Sequence, residues 1–117
     1  MADMMKRVPV REQDPKVRAT NFEEVCYGYN QEEAVTEAAR CLNCKNAKCI
    51  QGCPVSINIP GFISKVKDGD IEGAYEVIGE SSALPAICGR VCPQESQCES
   101  KCIRGIKGDA ISIGKLE

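Results

Sequence analysis

Eight of the nine cysteines in this 117-residue chain stand in two compact groups. The first is Cys41-x2-Cys44-x4-Cys49-x3-Cys53-Pro54. The second is Cys88-x3-Cys92-Pro93-x4-Cys98-x3-Cys102, and Cys26 stands apart from both. An odd count forbids a complete set of intramolecular disulfides. Residues 1–10 are polar and charged, without the apolar stretch that a secretory signal carries. The reading is therefore a cytoplasmic chain, in which thiols at this density serve metal binding rather than cross-linking.

The remaining composition narrows the chemistry further. The chain has no His, which removes the commonest general base, any Cys/His dyad and every zinc finger that pairs two Cys with two His. Fifteen basic residues against seventeen acidic ones leave a formal charge of −2, which calls for neither nucleic acid nor an anionic membrane. No apolar run approaches the ~18 residues of a membrane span. Aromatic residues are scarce, Trp is absent, and ten Gly and six Pro interrupt the apolar segments. Metal ligation can supply the missing cohesion, because binding free energy is folding free energy when the site is not preformed.

Hydrophobic spacing predicts an all-α domain. Residues 1–29 show no clear periodicity and read as an extended arm lying on the rest of the domain or on a partner. The folded domain spans 30–117. Asn30 and Glu33 form a capping pattern for a helix with Ala34, Val35, Ala38, Ala39 and Leu42 on one face, delivering the chain to Cys41. A second helix begins at Pro60, buries Phe62, Ile63 and Val66, and stops near Gly69. Asp70 caps a third, with Ile71, Ala74, Tyr75 and Ile78 as its stripe, and Gly79 with Ser81 and Ser82 ends it. A short helical turn is expected over 95–101. No run alternates convincingly enough for a strand, although 110–113 is ambiguous.

Iron–sulfur clusters need several thiolates around one compact cube, so short spacings wrap one loop about a cluster and a distant Cys closes the site. In the bacterial ferredoxin run, the Cys followed by Pro serves the other cluster; here the Cys-Pro pair occurs twice. Arg40, Lys45, Lys48, Arg90, Lys101 and Arg104 lie among the thiols, where cations would stabilise an anionic cluster, although each also reads as solvated surface charge. Two zinc sites of four cysteines each, forming an interaction module, are the competing reading. Such modules usually repeat tight Cys-x2-Cys units, and only one occurs here. A disulfide framework is the third.

The segments RCLNCKNAKCIQGCPVSINIPGFI, LPAICGRVCPQESQCESKC and ISIGKLE together resemble the N-terminal iron–sulfur domain of the NADPH-dependent glutamate synthase small subunit. The same domain occurs in NADH-dependent ferredoxin–NADP oxidoreductase and dihydropyrimidine dehydrogenase. VREQDPKVRATNFEEVCYGYNQEEAVTEA resembles the stretch just upstream in these enzymes. The resemblance implies an α-helical ferredoxin-like domain organised around two [4Fe–4S] clusters. It also implies a crossed set of ligands: Cys41, Cys44, Cys49 and Cys102 for one cluster, and Cys53, Cys92, Cys98 and Glu117 for the other. Cys88 is the alternative to Glu117, and Cys26 is spare.

The resemblance further implies an electron-transfer role between the flavin of an NADPH-oxidising subunit and a partner subunit that makes glutamate from glutamine and 2-oxoglutarate. FAD and NADPH would belong to domains joined in cis, with the large catalytic subunit in trans. No G-x-G-x-x-G follows a strand in this sequence, so the chain reads as a fragment ending where a flavin-binding domain would begin. No residue reads as catalytic, and the isolated chain is expected to have no turnover. A bifurcating ferredoxin–NADP oxidoreductase or a pyrimidine reductase is the alternative parent, the latter disfavoured slightly by Glu rather than Gln at position 117.

Overall fold

The computed structural model describes residues 4–117. The segment before residue 30 is more ordered than an extended arm. Strand β1 (Arg11–Glu12) pairs antiparallel with β2 (Cys26–Gly28) across the short helix α1 (Pro15–Arg18), which Asp14 caps. These strands carry no sequence signal, because two and three residues are too few for alternation to register. Within the segment Tyr29 donates its hydroxyl to Val8 O at 2.6 Å, and Val8 N–H ties it to the rest of the chain by donating to Glu37 Oε1 at 2.8 Å.

Helix α2 (Gln31–Ala38) starts as its capping residues dictate. Asn30 Oδ1 accepts from Glu33 N–H at 2.8 Å, and Glu33 Oε1 accepts from Asn30 N–H at 2.9 Å. The helix ends at Ala38 rather than running on to Leu42, which is half exposed. Helix α3 (Lys48–Gly52) lies inside the first cysteine group. Helix α4 (Ile59–Lys67), capped by Asn58, buries Phe62, Ile63 and Val66 as expected. Its end is a Schellman motif: Gly69, at φ +81, donates to Val66 O, and Asp70 N–H reaches Lys65 O. The chain then reverses into α5 (Ile71–Gly79), capped by Asp70.

Helix α5 buries only Ala74 and Ile78, so the predicted stripe was too wide; Ile71 and Tyr75 face outward. Three further pieces were not predicted: α3, α6 (Pro85–Val91) and α7 (Ile113–Leu116). The 95–101 turn narrows to a 3₁₀ turn at Glu99–Lys101, followed by another at Ile103–Ile106. The ambiguous 110–113 segment is not a strand. Ile111 enters the core outside any helix or strand, and Ile113 opens α7. The core therefore joins the α4–α5 hairpin to Ala38 of α2 and to this C-terminal return.

The join is fixed by a buried ion pair. Arg40 Nη1 donates to Glu37 Oε2 at 2.6 Å, and both side chains are within 1% of complete burial. Glu37 also accepts from Ser112 N–H at 2.9 Å, and Arg40 also donates to the carbonyls of Met4, Asp109 and Ala110. Arg40, expected among the cations near the thiols, is instead a strut between three stretches of chain. Replacing one partner strands the other charge without water, which costs about 3–5 kcal/mol. Arg40→Ala should therefore lower the denaturant midpoint severely. Lys65→Ala, which breaks a half-exposed 3.9 Å pair with Asp70, should cost at most about 1 kcal/mol.

Candidate metal centre

Cys41 leaves the end of α2 with its N–H on Ala38 O, and Asn43 then turns the chain through φ +51 with its own N–H toward Cys41 Sγ. Cys44 follows in the loop, Cys49 sits in α3, and Cys102 lies between the two 3₁₀ turns. These four thiols line a single cavity, although they come from both sequence groups. Its apolar wall is Ile59, Ile63, Ile111 and Ile113, and Lys48, Lys101 and Arg104 stand at its edge. Burial raises the Cys41 thiol, with Cys102 and Cys44 adding to the effect and Arg104 opposing it. Burial, then the neighbouring Cys102, pushes Cys49 up to about 11.

The Cys-Pro pairs have a local structural meaning. Cys53 and Cys92 are the residues that terminate α3 and α6, at φ/ψ of −91/124 and −65/137. The following proline disfavours helical geometry at the residue before it, so each thiol turns out of its helix. Cys53 and Glu117 lie near enough to both Cys92 and Cys98 to raise their thiols. Burial, then the Glu99 carboxylate, pushes Cys98 up to about 12, with Cys53 and Glu117 contributing. Burial and then Cys88 raise Cys92, again with Glu117 and Cys53 contributing. Glu117 is itself raised by burial, and its Oε1 is buried without a hydrogen-bond partner. A buried, orphaned carboxylate oxygen whose charge is felt at Cys92 and Cys98 fits a group that ligates through sulfur and oxygen.

Close backbone contact draws the two cysteine groups together. A Cβ on Gly52 would sit 2.6 Å from Gln97 O, so α3 rests directly on the turn before Cys98. A Cβ on Gly89 would sit 2.9 Å from Gly114 O, which brings α6 against α7 and Glu117. Neither glycine was singled out from the sequence, where nothing marks which chain approaches it. The same holds for Glu37 and for Glu99. Glu99 is buried, accepts from Gly114 N–H at 3.3 Å and Arg7 Nη2 at 3.4 Å, and is raised mainly by burial.

The other named residues lie elsewhere. Cys26 lines a separate cavity between β2, α6 and α7. Cys88 is on α6 beside Cys92. Arg90 is spent on an exposed ion pair with Glu24 at 2.8 Å, and Lys45 is not among the residues lining the first cavity. All nine cysteines are free, and among the described residues no group of three or more Cys, Asp or Glu side chains is arranged to hold a single metal ion. Also among the described residues, no helix is long and apolar enough to cross a membrane.

The raised thiols set a pH dependence for the metal-free chain. Burial favours the neutral thiol in the folded state, so its stability is complete below the unfolded value near 9 and is lost as the pH rises through about 11 to 12. Denaturant midpoints of the metal-free chain should fall across that window. Substituting Cys49 and Cys98 by Ala should flatten the fall.

The chain is similar to known proteins over most of its length. A family model described as dihydropyrimidine dehydrogenase domain II, 4Fe-4S cluster, matches residues 18–117. The small chain of NADPH glutamate synthase from Halomonas elongata is 37% identical over 115 residues, covering 94% of this chain and 24% of that protein. Its Escherichia coli K12 counterpart is 34% identical over 113 residues, covering 97% and 24%. The NAD-dependent dihydropyrimidine dehydrogenase subunit PreT of the same strain is 43% identical over 84 residues, covering 72% and 20%. This chain thus spans about a quarter or less of the length of these relatives. With its cysteine-lined cavity and a match over residues 18–117, the chain belongs to the 4Fe-4S cluster family of dihydropyrimidine dehydrogenase domain II.

Proposed function

We propose that this chain is an electron-transfer domain holding two [4Fe–4S] clusters, one on Cys41, Cys44, Cys49 and Cys102, the other on Cys53, Cys92, Cys98 and Glu117. The observation that carries the reading is the crossed grouping: four thiols from both sequence groups, Cys41, Cys44, Cys49 and Cys102, line one cavity. The buried Glu117 Oε1 without a hydrogen-bond partner supports an oxygen ligand for the other cluster. When bound, such clusters supply one-electron chemistry that no side chain here can perform. The chain's own part is to bind and shield. Ile59, Ile63, Ile111 and Ile113 keep water from the first site, while Lys48, Lys101 and Arg104 offset negative charge there. Loading requires the buried thiols to give up their protons.

In the reading favoured by the glutamate synthase relatives, the domain works in the cytoplasm. It takes electrons from a flavin reduced by NADPH, in domains joined in cis. It passes them to a large catalytic subunit that makes glutamate from glutamine and 2-oxoglutarate. The identity to the PreT subunit favours pyrimidine reduction as the second reading. A ferredoxin–NADP oxidoreductase would use the same domain.

Metal content tests the cluster reading directly. Protein purified and reconstituted without oxygen should hold about eight iron and eight sulfide per chain. About two zinc and no sulfide in protein taken directly from cells would replace the redox role with a zinc-stabilised module. Cys49→Ser should lose about four iron, the content of one cluster, while Cys26→Ser keeps both; equal iron in the two variants defeats the assignment. Glu117→Ala should change the spectrum of one cluster only.

A further inference from the structure

Gln94 follows the second Cys-Pro pair and belongs to neither proposed set of ligands. Its backbone holds the turn that joins Cys92 to Cys98. The N–H donates to Cys92 O at 2.9 Å, and the carbonyl accepts from Gln97 N–H at 3.1 Å and Glu99 N–H at 3.0 Å. The side chain reaches back to the end of α6, where Nε2 donates to Gly89 O at 3.0 Å and lies 3.4 Å from Cys88 O. In a continuing helix Gly89 O would accept from the residue four on, but that residue is Pro93, which has no N–H. The glutamine amide supplies the missing donor. It also meets α7: a Cβ on Gly114 would overlap the Gln94 side chain, and a Cβ on Gly89 would sit 2.9 Å from Gly114 O. One side chain therefore touches the end of α6 and the start of the segment that carries Glu117.

We infer that Gln94 is a positioning residue for the second cluster: wedged between Gly89 and Gly114, it locks α7 to α6 and so holds the Glu117 carboxylate in place as a ligand. The inference rests on the ligand set proposed above. Glu117 Oε1 has no hydrogen bond to fix it, so its place is set by the backbone that carries it. That backbone is gripped at Gly114, whose N–H donates to Glu99 Oε2 at 3.3 Å and whose Cα faces the Gln94 side chain. Contacts behind a ligand fix its orientation, and removing them displaces it. The chemistry selects an amide here, because the partners of Nε2 are carbonyl oxygens and only a donor satisfies them.

The test is electron paramagnetic resonance of the reconstituted, reduced full chain, with iron counted in each variant. Glu117→Ala identifies the signal of the second cluster. Gln94→Ala should convert that signal to the form seen in Glu117→Ala and leave the other unchanged. Iron should stay within about one atom of the wild type, since three cysteines still hold the cluster. Gln94→Met keeps the length of the side chain without the donor and should act as alanine does. Gly114→Ala expels either the amide or α7, so it should give the same signal and add nothing to Gln94→Ala. Ser96→Ala, at an exposed position of the same turn, should alter neither signal. A wild-type signal in Gln94→Ala or Gln94→Met overturns the inference, as does an equal disturbance of both clusters or a matching change in Ser96→Ala. Should Gln94→Ala fail to take up clusters, Gly114→Ala stands in for it, and a wild-type signal there refutes the wedge. If Glu117→Ala changes neither signal, the ligand assignment itself fails and this inference with it. If it changes one, any failure belongs to Gln94 alone.

Discussion

The buried contact between Glu37 and Arg40 decides how the rest of this chain can be arranged. Neither charge reaches water, so each must be satisfied by groups that converge on it. Those groups are the backbone of residues 4 to 8, the end of α2 and the return at 109–112. Arg104 adds to the same node by donating Nε to Arg40 O at 2.8 Å. Because Arg104 also stands at the first cavity, the node and the thiols share one piece of backbone. Ordering the C-terminal return is what brings Ile111 and Ile113 beneath the thiols and sets Glu117 beside Cys92 and Cys98.

The two sets of donors differ in their surroundings. The first is walled by isoleucines and edged by three basic residues. The second has carboxylates close by, Glu99 next to Cys98 and Glu117 within the set. A group carrying excess negative charge is better stabilised in the first environment than in the second.

The parts of the fold legible in the sequence were those fixed locally. Asn30 and Asp70 cap the helices they were expected to cap, because a cap involves residues three apart. The apolar positions of α4 were legible for the same reason. Leu42, Ile71 and Tyr75 were misplaced because a stripe says which residues share a face, not how much of that face another element covers. The Glu37–Arg40 pair was unreadable, since an i, i+3 pair of opposite charges looks the same on a solvated helix. The spacing of the cysteines pointed to a metal centre, but not to Cys102 meeting Cys41. That grouping followed from resemblance to a family, since it depends on where the chain returns after two further helices.

The node at Glu37 also bears on how the molecule is made. Its partners lie up to 75 residues apart in sequence, between Glu37 and Ser112. A ribosome delivers the chain from its N-terminal end, so α2 and the first cysteine group emerge long before Ser112 exists to meet them. Until then the carboxylate and the guanidinium have each other and water, and the reactive thiols of the first group stand open. Contacts so distant along the chain are slow to close. The nascent domain therefore passes through an interval in which its thiols are exposed to oxidants and stray metals. The arrival of Ser112 and its neighbours ends that interval.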